Sequence, residues 1–532
     1  MRNRIYTTFF LLFVLITTQA QLRLSPEGVK LDRTIRLISD LYVDDVDKNK
    51  ITEAGIRGML EELDPHSSYL DKEEVRQMNE PLQGNFDGIG ISFNMLTDTV
   101  YVMEVISGGP SQKVGLMPGD KIIYVNDTLI AGQKMSTQDI MSKLRGKKGT
   151  TAKVKVLRRG VSGLTEYSII RDKIPINSID ASYMVNKNTG YIRLSRFGMN
   201  SLKEFHESLV GLKSEGMQNL LLDLTGNGGG ILSTSTDITD EFLDGGKLMV
   251  YTEGRSQPKM SVNSTSKGVF QKGKLVILVD EGSASASEIV SGAVQDWDRG
   301  IIVGRRTFGK GLVQRQLPLT DGTMIRLTVA RYYTPTGRGI QKPYNEGDKE
   351  AYNLDFINRF NHGEMITADS IQFPDSLKFE TLINKRTVYG GGGIMPDVFV
   401  PIDTTVATPL HRQLIAKGVI NRLTIGEVDN NRKQLLQTYP NVDAFKKDYT
   451  VSPELIDKIK ELAKPEEIEW NDEEFEKSQQ LIFTQMKALI ARDLYDSSAF
   501  YRIINDVDDI FLKGLEVITD DAAYRKILNG NG

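Results

Sequence analysis

The sequence predicts a multidomain α+β protein. A mixed α/β core is preceded by a strand-rich unit and flanked by helical N- and C-terminal regions. Three observations carry this. The chain has 532 residues, too many for one ordinary hydrophobic core. Between about Ser178 and Pro401, apolar strand-like runs such as Leu220–Leu224 and Leu275–Val279 alternate with helical stretches. Before residue 82 and after residue 402, the apolar residues follow helical spacing.

The elements follow in order. Residues 25–82 read helical: Ser25 is an N-cap, Pro26 sits at the first helical position, and Leu31, Ile35, Ile38 and Leu41 share a face. A second helix is expected over Ile51–Leu63. Residues 84–173 are β-rich, with strands at Val100–Val105, Lys121–Val125 and Ala152–Leu157 and one helix at Ser136–Leu144. The core, 174–402, holds strands at Tyr191–Leu194, Leu220–Leu224, Leu275–Val279 and Ile301–Val303. Its helices are expected at Ser201–Glu215 and Ser285–Trp297. Residues 344–371 are polar and read as an irregular insertion. Residues 403–532 read mainly helical; Asn471 with Glu474 forms a capping-box pattern, and Phe475, Ile482, Met486, Leu489 and Ile490 share one face. The helical ends are candidate surfaces for homo-oligomer assembly.

The first twenty residues carry a different signal. Arg2 and Arg4 precede the apolar stretch Phe9–Ile16, and Thr18 and Ala20 form a small-residue cleavage site. This is the pattern of a secretory signal peptide cleaved after Ala20, and the apolar run is short for a membrane span. The expectation is an exported protein of the periplasm or cell envelope, with a retained anchor as the alternative.

Composition removes several chemistries. There is no cysteine, which excludes disulfide frameworks, thiolate zinc sites and cysteine nucleophiles. The formal net charge of −4 offers no basic footprint for nucleic acid. Four histidines leave little room for a His-rich metal site, so neither metal nor cofactor is expected. The frame Gly304-Arg305-Arg306-Thr307-Phe308-Gly309-Lys310 matches G-x-x-x-x-G-K, but Gly311 and a strand-like run follow it, so no nucleotide is expected. No G-x-S-x-G elbow occurs, and the S-x-x-K matches at Ser256–Lys259 and Ser264–Lys267 lack partner motifs.

The stronger candidate is Gly282-Ser283-Ala284-Ser285-Ala286-Ser287-Glu288, between a buried strand and a helix. Small residues there admit a substrate backbone, and helix-start amides face a developing oxyanion. The same serines also serve as helix caps in the simpler reading. A serine nucleophile needs a base. No histidine lies nearby in sequence; Lys310, between two glycines, is the alternative, since burial lowers a lysine pKa.

Ser283-Ala284-Ser285-Ala286-Ser287-Glu288-Ile289, Gln295-Asp296 and Thr307-Phe308-Gly309-Lys310-Gly311-Leu312-Val313-Gln314 together resemble the signature of the C-terminal processing serine peptidases, or tail-specific proteases. The resemblance implies a crotonase- or ClpP-like core and a Ser/Lys dyad whose spacing selects Ser285 and Lys310. It further implies that Gln314 orients the lysine and that Asp296 plays a supporting part. Asp223-Leu224-Thr225-Gly226-Asn227-Gly228-Gly229-Gly230 is similar to the family loop D-L-R-x-N-P-G-G, with Thr225 in place of Arg and Gly228 in place of Pro. That similarity implies an oxyanion hole from the amides of Gly229 and Ala286. Leu63–Leu70, Ala330–Pro335 and Gly393–Val398 also look like family segments, and His66 then reads as structural.

Residues 84–173 resemble a PDZ domain. Gly88-Ile89-Gly90-Ile91 matches its carboxylate-binding loop, and Gly115–Ile123 its central turn. Such a domain binds a C-terminal tail as an added strand. The implied function is an endopeptidase that cleaves proteins near their C-termini, with protein or peptide tails as partners. The alternative is a catalytically silent, PDZ-containing peptide-binding protein of the cell envelope. The role of residues 403–532 stays open.

Overall fold

The runs Leu220-Leu221-Leu222 and Leu275-Val276-Ile277-Leu278-Val279 have no polar face to offer water, so both sides of their sheet must be covered. The computed structural model describes residues 25–96 and 98–530. It places these runs as adjacent strands, Asn219–Asp223 and Leu275–Val279, in the middle of a six-stranded sheet. Strand order is Ile179–Met184, Thr189–Leu194, Asn219–Asp223, Leu275–Val279, Ile301–Gly304, Val398–Phe399. The first pair is antiparallel and the others are parallel. The export-signal reading of residues 1–20 lies outside the described residues.

One face of this sheet packs on the helices Ser201–Ser214, Leu232–Asp240 and Ala286–Asp296 through residues such as Phe205, Leu209, Ile238 and Val290. The other face is covered from the far end of the chain. Helices Asp509–Thr519 and Asp521–Leu528 bring Phe511, Val517, Ile518 and Tyr524 onto Leu221, Val276, Leu278 and Val303. Gly514 makes the approach close: a Cβ there would stand 2.5 Å from Leu278 Cδ2. The helical region after residue 403 therefore has two parts. Val419–Thr438, Pro453–Ala463 and Asp472–Leu494 build a bundle with its own apolar core, and the last helices complete the sheet's second face.

A second, five-stranded antiparallel sheet joins Ser68–Leu70, Leu248–Gly254, Gln257–Asn263, Leu312–Pro318 and Met324–Tyr333. The unit before the core is antiparallel too: Ile91–Leu96, Thr99–Val105, Lys121–Val125, Thr151–Leu157 and Leu164–Ile170 wrap Ile122, Ile130, Ile140 and Val154. The chain enters and leaves it through one two-stranded ribbon, Asn85–Gly88 against Asp172–Pro175.

Two expectations change. The insertion is not irregular throughout: Lys349–Asn361 is a helix capped by Asp348, whose side chain accepts from Ala351 N–H. It buries only Tyr352 and Arg359, so it carries no apolar stripe that sequence spacing reveals. The capping box at Asn471 is half formed. Asn471 accepts from Glu474 N–H at 3.1 Å, but the Glu474 carboxylate accepts from Leu410 N–H at 2.7 Å and so docks the neighbouring helix Pro409–Ala416.

Candidate active site

Strand Leu275–Val279 feeds a tight turn that opens helix Ala286–Asp296. Asp280 Oδ1 gathers the turn, accepting from Gly282 and Ser283 N–H at 3.0 Å and from Gly226 N–H of the glycine loop at 2.8 Å. The three serines divide. Ser283 and Ser287 are fully buried, and their hydroxyls donate to the carbonyls of Leu224 and Asn227, each at 2.8 Å. Ser285 is half-buried, and its hydroxyl donates to none of the described residues. Its backbone lies at φ 56°, ψ −109°, a strained region for a residue with a Cβ. Such strain costs about 1–3 kcal/mol and persists only where the surroundings impose it.

Glu288 imposes it. This residue is completely buried in the first turn of the helix. Its Oε2 accepts from Ser285 N–H at 2.8 Å and from Lys310 N–H at 2.9 Å. Its Oε1 accepts from Gly309 N–H at 2.7 Å and from the Thr307 hydroxyl at 2.5 Å. Tyr332, also buried, shares its hydroxyl proton between the carbonyls of Lys310, 2.6 Å, and Ser285, 3.0 Å. Two side chains thus tie Ser285 and Lys310 together, backbone to backbone. Burial pushes the Glu288 carboxyl up to about 7, against four donors that favour the charged form.

Among the described residues the Lys310 ammonium has neither an ion pair nor a hydrogen bond. Burial lowers its pKa, and the Arg326 charge pushes the same way, while Glu288 and Asp64 oppose. His66 stands beside it: burial first, then the Lys310 charge, lower the imidazole to about 4, so the ring is neutral near pH 7. His66 Nε2 meets the hydroxyl of Tyr352, from the insertion helix, at 3.0 Å. Among the described residues Asp64 forms no ion pair. It accepts from His66 and Ser67 N–H at 2.9 and 3.1 Å and from the Ser67 and Thr328 hydroxyls at 2.5 and 2.9 Å. Gln314 joins this group rather than the lysine: its Nε2 donates to Thr328 Oγ1 at 3.2 Å, and no hydrogen bond links it to Lys310 among the described residues.

The glycine loop touches the serine turn directly. Gly229, at φ +100°, has no room for a Cβ, which would lie 2.8 Å from Ser285 Cβ and 2.9 Å from Ala286 N. The two amides implied as an oxyanion hole are therefore neighbours. Ala286 N–H, at the first helical position, donates to none of the described residues. Gly229 N–H donates to the side chain of buried Asn227 at 2.9 Å. Asp296 is remote, at the other end of the serine helix. It is fully buried against Arg338 at 2.6 Å and accepts from Thr336 N–H and Oγ1 at 2.9 and 2.8 Å, which pins the turn after Tyr332. The 304–310 frame opens no helix, because strand Leu312–Pro318 follows it.

In the strand-rich unit, the loop Gly88-Ile89-Gly90-Ile91 turns its carbonyls inward. Ile89 C=O accepts from Ser111 Oγ at 2.6 Å, and Gly90 C=O accepts from Ile106 N–H at 3.0 Å. Across trans peptides the N–H groups of Gly90 and Ile91 then face the opposite way. Ile91 begins the edge strand Ile91–Leu96, which among the described residues pairs only with Thr99–Val105.

Sequence reasoning placed the serine turn and the lysine loop but missed the groups that join them, Glu288 and Tyr332, and the polar cluster around Asp64. One signal was available: Ser285-Ala286-Ser287-Glu288 is an S-x-x-E frame at a helix start.

Comparison with known proteins gives four family matches. The model described as Peptidase family S41 matches residues 188–350, and the PDZ domain model matches 88–166. The activating protease CtpB N-terminal domain matches 16–74, and a family of unknown function matches 410–496. A carboxy-terminal-processing protease of Bartonella bacilliformis is 36% identical over 305 residues, covering 56% of this chain and 69% of that protein. The carboxy-terminal processing protease CtpB of Bacillus subtilis is 33% identical over 330 residues, covering 61% of this chain and 68% of that protein.

Proposed function

The chain belongs to the carboxy-terminal-processing proteases of peptidase family S41, with a PDZ domain, and from that membership we propose that it cleaves proteins near their C-termini with a Ser285/Lys310 dyad. The observation that carries the assignment of residues is the double tie of Ser285 to Lys310 through Glu288 and Tyr332, beside a lysine that burial drives toward its neutral form.

The chemistry follows from those positions. The PDZ domain takes a substrate tail along its open edge strand, with the terminal carboxylate at the Gly88–Ile91 loop. Neutral Lys310 Nζ accepts the Ser285 hydroxyl proton as Oγ attacks the scissile carbonyl. The oxyanion faces the Ala286 and Gly229 amides; the second is shared with Asn227, so the substrate oxygen competes with that side chain for it. The lysine ammonium returns its proton to the leaving amine. Water, deprotonated by the regenerated Lys310, then releases the acyl group from Ser285.

Export to the periplasm or cell envelope, with removal of residues 1–20, completes the reading and is supported by the arginine–apolar–small-residue pattern there. Self-assembly through the helical ends belongs to it as well. Helix Pro26–Leu41 buries none of its residues and exposes Val29, Leu31, Leu37, Ile38 and Leu41.

A quenched fluorescent peptide with a free C-terminal tail tests the function. Wild type is expected to cleave it, and Ser285→Ala and Lys310→Ala to leave it intact while still binding the tail. Tail binding without cleavage by wild type would favour the silent peptide-binding alternative.

A further inference from the structure

The amides assigned to the oxyanion hole depend on where the glycine loop begins, and that point is fixed by an unusual arrangement. Asp223 ends strand Asn219–Asp223. Its Oδ1 accepts from Thr225 N–H at 2.8 Å and Thr225 Oγ1 at 2.7 Å, and its Oδ2 accepts from the Tyr191 hydroxyl at 2.6 Å. Arg193, the register partner of Asp223 on the adjacent strand, also donates to that carboxylate. The same guanidinium reaches onward: Nη1 donates to Thr225 Oγ1 at 2.7 Å and Nη2 to the Thr225 carbonyl at 3.0 Å. One planar fork therefore spans the strand end and the first loop residue.

The back of the fork is closed by the C-terminal region. Tyr501, on helix Ser497–Ile504, lays its ring 4.8 Å from Arg193 Cζ. That helix is docked in turn by the Tyr183 hydroxyl, which donates to the Tyr501 carbonyl at 3.3 Å and accepts from Asn505 Nδ2 at 2.9 Å. Thr225 is the residue at which this chain departs from the D-L-R-x-N-P-G-G loop, and a guanidinium from the adjacent strand contacts its hydroxyl and carbonyl.

We propose that Arg193 is a positioning residue for the glycine loop, and that the C-terminal helical region, through Tyr501, holds Arg193 in place and so forms a working part of the active-site architecture. The inference rests on reading Gly229 and Ala286 as the oxyanion donors. Without Arg193 the Thr225 carbonyl and the Asp223 carboxylate lose their shared donor, and residues 226–230 are free to shift away from Ser285. An amide displaced from a developing oxyanion weakens transition-state binding more than substrate binding, so the loss falls on kcat.

The test has two arms. The first is hydrogen exchange of the full-length protein carrying Ser285→Ala, which reads the loop whether or not the chain is a protease. Arg193→Gln is expected to speed exchange at the amides of 225–230 by about tenfold or more, Tyr501→Leu to speed it less, and Tyr501→Phe, which keeps the ring, to leave it unchanged. Exchange in the PDZ domain is expected to stay as it was. The second arm is peptide cleavage with Ser285 intact. Arg193→Gln is expected to lower kcat by about 10- to 100-fold with KM nearly constant, Arg193→Lys to fall between, and Arg193→Gln/Tyr501→Leu to be no slower than Arg193→Gln alone. Unchanged exchange at 225–230 overturns the proposal, and so does a loss confined to KM. If Arg193→Gln does not fold, Arg193→Lys and Tyr501→Leu decide by the same criteria. Failure of wild type to cleave would overturn the proposed dyad and oxyanion hole, and with them the kinetic arm; the exchange arm would still decide whether Arg193 and Tyr501 hold the loop.

Discussion

Replacing Glu288 by glutamine perturbs the tie between Ser285 and Lys310 with the smallest change of shape. The carboxylate accepts from three backbone N–H groups and one hydroxyl. Glutamine keeps one acceptor oxygen and turns an NH2 toward the other pair. The less costly flip puts the NH2 on the Thr307 side, where the hydroxyl can rotate to accept, and Gly309 N–H is left without a partner. One buried orphan donor costs roughly 1–3 kcal/mol, so the variant is expected to fold with reduced stability. The activity effect is larger in proportion, because loss of alignment between reacting groups costs about 100-fold for a displacement of about 1 Å. Loss of the Glu288 charge also removes a nearby anion that favours the Lys310 ammonium, so the alkaline rise of kcat is expected to move to lower pH. The assay is peptide cleavage across pH together with urea unfolding. A Glu288→Gln protein with wild-type kcat and an unmoved pH midpoint would refute the reasoning. Stability gives an internal check. Burial raises the Glu288 carboxyl to about 7, so the native state holds its proton more tightly than the unfolded chain does. Wild-type stability therefore falls by roughly 3 kcal/mol as pH rises from about 4.5 to 7, a slope that Glu288→Gln lacks.

Three further outcomes are expected. His66 is lowered to about 4, so the unfolded chain takes up its proton first, and this group's contribution to stability is lost as pH falls from about 6.5 through 4; His66→Asn is expected to flatten that part of the unfolding profile relative to wild type. Asp296→Ala leaves Arg338 charged and fully buried, which is expected to cost about 3–5 kcal/mol by urea unfolding. Gly90→Ala adds a Cβ at φ +77°, 3.0 Å from Ile174 Cδ1 and 3.2 Å from Pro110 Cδ. By fluorescence polarisation it is expected to weaken binding of a free-carboxylate tail peptide, but not of an amidated one that already binds poorly.

Much of this molecule was legible in its sequence. The strand Leu275–Val279 and the serine helix follow from an apolar run that meets small residues and then a helical pattern. The two-sided apolar character of Leu220–Leu224 implied a cover on both faces, but nothing local says that Phe511 and Ile518 supply it. That contact closes over a long stretch of chain, beyond any periodicity argument. Glu288 was hidden for a similar reason. Its helix-start position was visible, but its partners at 307–310 come from another part of the chain, and a buried carboxylate held by backbone N–H groups and a hydroxyl, with no ion pair among the described residues, is not what residue type alone suggests. The sequence shows Thr225 where the family loop carries Arg, but not what contacts it; the donor to its hydroxyl and carbonyl is Arg193, one strand away.

The central claim is that Ser285 is the nucleophile and Lys310 its neutral base. The most direct measurement is capture of the acyl-enzyme from an activated ester substrate, located by peptide mapping in wild type and Lys310→Arg across pH. The account predicts an adduct on Ser285 in wild type, forming faster as pH rises through the lowered lysine pKa, and none in Lys310→Arg, whose guanidinium stays charged. An adduct on Ser283 or Ser287, or acylation of Lys310→Arg at the wild-type rate, would contradict it.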